Sequence, residues 1–306
     1  MHRNSPVEGA VVALGTFDGV HRGHQAILKR TAAQARQLGL PAVAYTLFPH
    51  PRAVLTPGQE LPLLTVLSER KRLLKAYGMD RVVVQTFDAT FAALTPEEFL
   101  ERVVLAHLRA RRVVVGFNYT FGQGGRAGAE RLRELGEARG LRVEIVPPVC
   151  VDGTIVSSSV IRSLLARGEL EQANQFLGYA YTLSGRVVRG EGRGKALGFP
   201  TANLLLPPQK LLPQDGVYAV SVTLPQGRVY PALLSIGPQP TFGGAERRVE
   251  VFIPDLNEDL YGRVLEVGVQ RRLRDIQRFP TPQALAEQIK QDLRAITIYN
   301  EKAGML

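Results

Sequence analysis

Short apolar runs alternate with longer helical patterns through the first half of the chain. The apolar runs cover residues 11–14, 42–47, 81–86, 112–117 and 142–146. Most are unbroken, which is typical of strands buried on both faces of a parallel sheet. Helical periodicity lies between them, over residues 25–38, 69–77, 96–108 and 129–139. This alternation predicts right-handed crossovers and an open, doubly wound α/β sheet.

The pattern changes after a single helix predicted over residues 160–177. Strand-like segments separated by Gly- and Pro-containing turns follow, over residues 182–189, 216–224, 229–235, 247–253 and 264–271. Short strands with turns between them are typical of an antiparallel barrel. Leu285, Ile289 and Leu293 then recur every four residues and predict a closing helix over residues 282–293.

Two domains are therefore expected within the 306 residues. Residues 1–179 should form the doubly wound parallel-sheet domain, and residues 180–306 the antiparallel β-barrel with its closing helix. The segment 118–128 is rich in glycine, and we expect it to be a mobile loop over a ligand.

The composition is that of an ordinary globular protein, with 45% hydrophobic and 22% charged residues. Cys150 is the single cysteine, which excludes an intrachain disulfide and fits a reducing compartment. Residues 1–9 are polar and contain Pro6, unlike a signal peptide. Since apolar runs stay well short of the roughly 18 residues of a membrane span, we expect a cytoplasmic protein without membrane association.

The net charge is +10, with a sequence pI near 10.0. Basic proteins often bind nucleic acid, but here the Lys and Arg residues are dispersed. The densest clusters, residues 109–112 and 271–274, are short and carry no aromatic residues between them. Small anionic phosphates explain the charge equally well, so nucleic acid is not the expected partner. The sequence does not indicate an oligomeric state.

One glycine-rich motif, GTFDGVHRGH at residues 15–24, lies between an apolar run and a helical pattern. At a strand–turn–helix junction, free backbone N–H groups and the positive end of the helix dipole point at one place, where anions bind. His21 and His24 are three residues apart and lie on one side of the first helical turn. The motif predicts a site for the triphosphate of a nucleotide.

A second glycine-rich run covers residues 190–203 and contains the string GRGKALGFPTAN. Its glycines allow the backbone to approach a polyanion closely. Thr201 and Asn203 offer neutral oxygen atoms that suit Mg²⁺. Taken alone, such a run is equally consistent with a simple turn.

Together, the motifs resemble those of the bacterial bifunctional riboflavin kinase/FAD synthetases. The first motif resembles the HxGH signature of their FMN adenylyltransferase half, and Gly-Phe-Pro-Thr-Ala-Asn resembles their flavokinase signature. The strings TLFPHP, GFNYTFG, SSSVIR and DLYG fall in the family's order, at residues 46–51, 116–122, 157–162 and 259–262. The resemblance implies that ATP, with Mg²⁺, phosphorylates riboflavin to FMN and then adenylylates FMN to FAD, releasing pyrophosphate.

The resemblance also implies residue roles in adenylyl transfer, a step that depends on positioning and charge neutralisation. His21, His24 and Arg162 would be catalytic. Contacts to ATP would come from Gly15, Phe17, Asp18, Gly19, Gly23, Ser158 and Ser159. Contacts to FMN would come from Thr46, His50 and Asn118. Alternatively, Asp18 and His50 order their turns, and the serines cap a helix.

In the kinase step the acceptor is an alcohol, so a base is needed. The resemblance assigns that role to Glu250, although a glutamate on a barrel strand is otherwise usually solvent-facing. It further implies Thr201 and Asn203 as Mg²⁺ ligands and Arg274 as a flavin contact. ATP would be held by the glycine-rich loop, at Gly192, Arg193, Gly194 and Lys195.

Phe252 and Ile276 depart from the family pattern, which commonly has a histidine and an acidic residue there. One alternative is therefore an FAD synthetase with a degenerate kinase. Another is a non-catalytic regulator that responds to flavin or nucleotide and binds RNA or DNA. Supplying riboflavin or FMN with ATP and separating the products distinguishes the first alternative from a bifunctional enzyme. Salt-sensitive oligonucleotide binding without turnover would favour the second.

Overall fold

In a computed structural model of the protein, the described residues are 9–56, 58, 61–190, 198–238, 247–254 and 256–302. Contacts divide the chain into two units, Met1–Ser158 and Ser159–Leu306. Among the described residues, no helix has the length and apolar character needed to cross a membrane.

The first unit is built on a five-stranded parallel sheet with strand order β3-β2-β1-β4-β7. The predicted parallel sheet is confirmed. In chain order its elements are β1 (Ala10–Leu14), α1 (Arg22–Leu38), β2 (Ala42–Phe48), α2 (Pro51–Leu55), α3 (Leu67–Ala76), β3 (Arg81–Thr86), α4 (Ala89–Ala92), α5 (Pro96–Glu98) continuing as a π-helical segment (Phe99–His107), β4 (Ala110–Gly116), β5 (Thr120–Phe121), a 3-10 turn (Gln123–Gly125), β6 (Ala127–Gly128), α6 (Ala129–Glu137), β7 (Arg142–Val146), β8 (Cys150–Val151) and β9 (Thr154–Ile155).

Both faces of this sheet are covered, as the unbroken apolar runs predict. Alternate residues of β1 enter different cores because side chains of a strand point to opposite faces. Val12 and Leu14 pack with the π-helical segment and α6, whereas Val11 and Ala13 pack with α1 and α3. All five residues of β1 are buried. The central strand therefore holds the residues that follow it in a fixed place.

The strand order reverses beside β1, which pairs with β2 on one side and β4 on the other. In open parallel sheets, ligands bind outside the carboxyl ends of the strands at such a point. The turn at residues 15–21 leaves β1 there and leads into α1.

Residues 118–128 contain short regular elements, and the expectation of a mobile loop over a ligand stays a prediction. The segment forms the antiparallel pair β5–β6 around the 3-10 turn. Phe121 and Ala127 are buried in the sheet core, and the Phe121 ring lies 5.4 Å from that of Phe99. Aromatic packing holds this glycine-rich segment against the sheet.

The second unit contains a closed antiparallel barrel with strand order β10-β11-β14-β13-β12-β15, and β15 returns to pair with β10. The predicted barrel is confirmed. In chain order the elements are α7 (Ser158–Ala166, whose first residue belongs to the first unit), α8 (Leu170–Leu177), β10 (Tyr181–Val188), β11 (Thr201–Leu205), β12 (Gly216–Thr223), β13 (Val229–Pro238), β14 (Arg247–Phe252), β15 (Val264–Arg274) and α9 (Pro282–Lys302).

The single helix predicted over residues 160–177 is wrong, because the structure has α7 and α8 in its place. Gly168 separates them with a φ of 76°, in the left-handed region where glycine commonly ends a helix. The Asn174 amide in α8 donates to the Val269 carbonyl (2.9 Å), and its oxygen accepts from the Tyr181 N–H (2.8 Å). The second helix is thereby fixed to the barrel.

The closing helix α9 continues to Lys302, beyond the predicted end at residue 293. Ile289, Leu293 and Ile296 pack in an apolar cluster with Ala219 and Leu233 of the barrel. The spacing of four that predicts this helix therefore marks its barrel-facing side.

Candidate active sites

The turn between β1 and α1 has an unusual backbone. Phe17 and Val20 have φ angles of 52° and 36°, and both side chains are fully buried. Positive φ is uncommon for such residues and persists only where the surroundings impose it. Gly19 also has a positive φ, of 84°, and a Cβ there would lie 2.7 Å from the Leu64 side chain. Only glycine fits this position.

Asp18 anchors the turn from within. Its carboxylate is fully buried and accepts hydrogen bonds from the Leu64 N–H (3.1 Å), the Thr65 N–H (2.9 Å) and the Thr65 hydroxyl (3.1 Å). The Arg70 guanidinium lies 3.5 Å from the same carboxylate. These contacts favour the alternative that Asp18 orders the turn, because a direct contact with ATP would require them to break.

The two histidines stack on each other at the start of α1. Nδ1 of His21 accepts a hydrogen bond from the His24 N–H (3.4 Å), so His21 caps the helix, which begins at Arg22 and not at residue 25 as predicted. The ring centroids of His21 and His24 are 3.7 Å apart, and the Phe17 ring lies edge-on at 5.3 Å from His24. Both imidazoles are thus fixed at the N-terminal end of the helix.

Nδ1 of His24 is buried and makes no hydrogen bond to any described residue. Burial, followed by the nearby charges of His21 and Arg70, holds the pKa of His24 well below its usual value. His24 is therefore neutral at neutral pH. The ring lies at the N-terminus of α1, where the positive end of the helix dipole favours anionic ligands.

Two further glycines of the motif leave room for these rings. A Cβ at Gly15 would lie 3.1 Å from the Phe17 ring, and one at Gly23 would lie 3.2 Å from the His21 ring. The N–H of Gly15 still belongs to the sheet, donating to the Tyr45 carbonyl (3.2 Å). These glycines act by allowing close ring packing.

The serine motif begins α7. The Ser158 hydroxyl donates to the Asp18 carbonyl (2.8 Å), which ties the first residue of that helix to the turn. Ser159 is exposed and Arg162 is half-buried, both within the first part of α7 in the second unit. Their contacts with ATP stay predictions.

Of the residues predicted to contact FMN, Thr46 lies within β2, His50 follows β2 and Asn118 follows β4. Thr46 is fully buried, and its hydroxyl donates to the Thr16 carbonyl (2.9 Å). His50 caps α2, with Nδ1 accepting from the Arg52 N–H (3.2 Å). Asn118 is exposed in the turn after β4. Thr46 and His50 thus hold local structure, and Asn118 is the most accessible to a ligand.

In the barrel, strand register brings the predicted kinase residues together. Glu250 on β14 lies opposite Asn203 on β11 and opposite Ser235 on β13. Thr201 lies opposite Phe252, two residues along the same face. Opposite residues of an antiparallel pair have Cβ atoms about 5 Å apart. Glu250, Asn203 and Thr201 therefore share one surface of the barrel, where Glu250 is half-buried.

Gly190 makes room for the Asn203 side chain. A Cβ at Gly190 would lie 2.1 Å from Nδ2 of Asn203. The predicted ATP-binding residues Gly192, Arg193, Gly194 and Lys195 lie outside the described residues. The described Gly190 is therefore a position where a side chain would collide with Asn203.

Arg274 is engaged by the closing helix. Its Nη2 lies 2.8 Å from Oδ2 of Asp292 in α9, and its Nε lies 3.1 Å from both carboxylate oxygens. Asp292 is buried and also accepts from the Gln288 amide (3.0 Å). This pair fastens α9 to β15, so the predicted flavin contact of Arg274 would share a guanidinium that already has a partner.

Comparison with known proteins identifies both units. Residues 4–160 match the FAD synthetase family and residues 177–299 match the riboflavin kinase family. A bifunctional riboflavin kinase/FMN adenylyltransferase from Escherichia coli K12 is 36% identical over 288 residues, covering 94% of this chain and 92% of its own. The chain belongs to this bifunctional family.

One further relative and one solved structure are similar over nearly the same length. The Listeria monocytogenes protein of the same name is 36% identical, covering 92% of this chain and 90% of its own. A solved structure titled a macrolide-efflux protein from Streptococcus pneumoniae is 37% identical with a TM-score of 0.87, covering 96% and 95% of the two chains. The fold of that protein matches this chain almost throughout.

The two departures from the family pattern, Phe252 and Ile276, pack against the apolar cluster beneath α9. The Phe252 ring also lies edge-on to Phe199, with centroids 5.4 Å apart. Both departures therefore extend the packing of the closing helix and remove no proposed catalytic group. This observation weighs against a degenerate kinase.

Sequence reasoning missed Arg70, Thr65 and Asp292, which hold the predicted site residues in place. None belongs to a motif. For Arg70 a signal exists, since Val66, Arg70 and Leu74 follow a spacing of four and the flanking residues are buried. A charged residue at such an apolar-face position implies a buried partner.

Proposed function

We propose that the two units catalyse successive ATP-dependent steps, with riboflavin phosphorylated on the barrel and FMN adenylylated at the parallel sheet. Family membership supports both activities. The observation that carries the assignment of residues is the strand register that gathers Glu250, Asn203 and Thr201 on one barrel face. The stacked histidine pair at the start of α1 supports the other site.

In adenylyl transfer, a phosphate oxygen of FMN attacks the α-phosphorus of ATP, and the bond to pyrophosphate breaks. The attacking oxygen is already anionic, so the step needs no general base. The chain supplies fixed N–H groups at the start of α1 and the imidazoles of His21 and His24. Preorganised donors of this kind stabilise the charge that develops in the transition state.

In the kinase step, the attacking group is a neutral hydroxyl of riboflavin. Glu250 accepts its proton as the oxygen bonds to the γ-phosphorus and ADP leaves. Asn203, directly opposite Glu250, orients the reactants on the same face. A half-buried carboxylate is accessible to substrate while its strand holds it in place.

Thr201 and Asn203 fit a divalent cation, because both carry neutral oxygens on one barrel face. Among the described residues, no group of three or more His, Cys, Asp or Glu side chains could hold a metal. Mg²⁺ usually takes few protein ligands and shares its coordination with phosphates and water. When bound, the cation would neutralise phosphate charge.

The domain boundary, the small-molecule partners and the location of the protein are also part of this proposal. We place the functional boundary at residues 179/180, since the riboflavin kinase match begins at 177 and α8 ends at Leu177. ATP, riboflavin and FMN are the partners, and the proposed location is the cytoplasm.

Incubation with riboflavin, ATP and Mg²⁺, followed by chromatography, tests the assignment. The expected products are FMN, then FAD and pyrophosphate, whereas FMN supplied in place of riboflavin yields FAD alone. FAD from FMN without FMN from riboflavin would overturn the kinase assignment. Absence of both products would overturn the proposed function as a whole.

A further inference from the structure

Arg70 is a fully buried cation behind the β1–α1 turn. Its side chain and that of Asp18 are 0% and 1% exposed. A charged group is rarely buried so completely unless it is paired. Besides the Asp18 carboxylate at 3.5 Å, its guanidinium donates to the carbonyls of Thr65 (3.2 Å) and Leu47 (3.4 Å).

These contacts join three separate segments of the first unit. Arg70 lies in α3, Leu47 lies near the end of β2, and Asp18 lies in the turn itself. The planar guanidinium can reach several oxygens at fixed angles, which a lysine ammonium cannot reproduce. Because Phe17 and Val20 hold unfavourable φ angles, the turn needs tethers of this kind.

We propose that Arg70 is a positioning residue for adenylyl transfer, which locks the turn at residues 17–20 so that the start of α1 is aligned for ATP. It acts through Asp18 and not by touching substrate. The inference rests on the proposed function of the first unit. It adds a residue outside every motif to the machinery of that unit.

Arg70 also acts on His24 through its charge. Burial is the main cause of the lowered pKa of His24, followed by the charges of His21, stacked on its ring, and of Arg70. Removing the Arg70 charge should therefore raise the pKa of His24, whereas replacing it by another cation should not. The pKa of His24 thus reports the charge of Arg70, whereas kcat for adenylylation in a folded Arg70→Lys protein reports its positioning role.

The experiment compares Arg70→Lys and Arg70→Met with Lys71→Met in the full chain. Lys71 is the exposed neighbour on α3, so its variant is a matched loss of charge. Steady-state kinetics give kcat and KM for ATP in FMN adenylylation. Riboflavin phosphorylation reports the second unit, near-UV circular dichroism reports folding, and NMR titration of the histidines gives the pKa of His24.

We expect kcat for adenylylation to fall about tenfold in Arg70→Lys and about 100-fold in Arg70→Met, since misplacement of about 1 Å at a reacting centre has effects of that size. Riboflavin phosphorylation stays unchanged in both variants, and Lys71→Met changes neither activity. The pKa of His24 rises in Arg70→Met and stays in place in Arg70→Lys.

A folded Arg70→Lys protein with normal adenylylation would overturn the proposal, because the guanidinium geometry would then be dispensable. If Arg70→Met does not fold, Arg70→Lys decides. Failure of both to fold would also overturn it, by assigning Arg70 to stability alone. If the wild-type chain does not adenylylate FMN, the proposed function fails instead, and the NMR titration still tests the charge coupling.

Discussion

The two proposed phosphate sites of this protein are built by different means. At the parallel sheet, a strained turn held by buried polar contacts leads into a helix that begins with two stacked histidines. On the barrel, side chains from adjacent antiparallel strands meet on one face by register. The first site depends on how the backbone is fixed, and the second on which residues stand opposite one another.

The difference matches the chemistry of the two acceptors. A phosphate attacks without losing a proton, so the first site needs charge stabilisation and positioning. A hydroxyl must be deprotonated as it attacks, so the second site needs a carboxylate that substrate can reach. His24 is accordingly neutral with a buried Nδ1, whereas Glu250 is half-buried on a strand.

The largest expected effect is on riboflavin phosphorylation when Glu250 is replaced, and it tests whether the two sites are separate. Glu250→Gln removes the base while keeping the shape of the side chain, so kcat for riboflavin phosphorylation should fall about 1000-fold. FMN adenylylation should be unchanged in the same preparation. Glu287→Gln, at an exposed position of α9, serves as control. Equal loss of both activities would contradict the separation of the sites.

The reciprocal change is His24→Ala. Loss of a preorganised donor at developing negative charge should lower kcat for FMN adenylylation about 100-fold, with riboflavin phosphorylation preserved. His107→Ala, an exposed histidine of the π-helical segment, should have no effect. If His24→Ala raised KM for ATP but left kcat intact, the ring would serve binding alone.

A smaller effect is expected at Arg274, where a variant distinguishes a role in stability from a contact with flavin. Arg274→Leu leaves Asp292, which is 6% exposed, without its charge partner. Breaking such a buried pair should lower the free energy of unfolding of the second unit by about 3 kcal/mol, measured by urea denaturation.

The double variant Arg274→Leu/Asp292→Leu should recover much of that loss, and Arg294→Leu at an exposed position of α9 should lose little. If Arg274→Leu instead raised KM for riboflavin and left stability unchanged, contact with flavin would be the main role of Arg274.

The smallest expected effect is the dependence of stability on pH in the first unit. Because the folded-state pKa of His24 lies well below the ordinary value of 6.5, the unfolded chain binds the proton first as the pH falls. Stability is therefore complete above pH 6.5 and decreases below it, by at most about 1.4 kcal/mol per pH unit.

Urea denaturation at a series of pH values measures this slope, and His24→Gln should flatten it. An identical slope in the variant would show that other groups titrate in this range. His24 lies in the first unit, so the second unit of the same protein serves as the control for this pH dependence.

Local patterns in the sequence predicted most of the architecture. The unbroken runs indicated the parallel strands, and the spacing of Leu285, Ile289 and Leu293 indicated the closing helix, because periodicity records which faces are buried. The break between α7 and α8 was missed, since a single Gly168 in a helical pattern does not disclose its left-handed backbone. The packing of Phe121 likewise depended on a partner distant in the chain.

The sequence alone determined the family, the order of the two units and the motif residues of each site, because those residues are close together in the chain. Only the tertiary structure decided how they are held. Asp18 meets Thr65 and Arg70, and Arg274 meets Asp292, across segments that no local pattern connects. A buried charge needs an opposite charge or hydrogen-bonding group near it in space, and folding, not sequence proximity, supplies that partner.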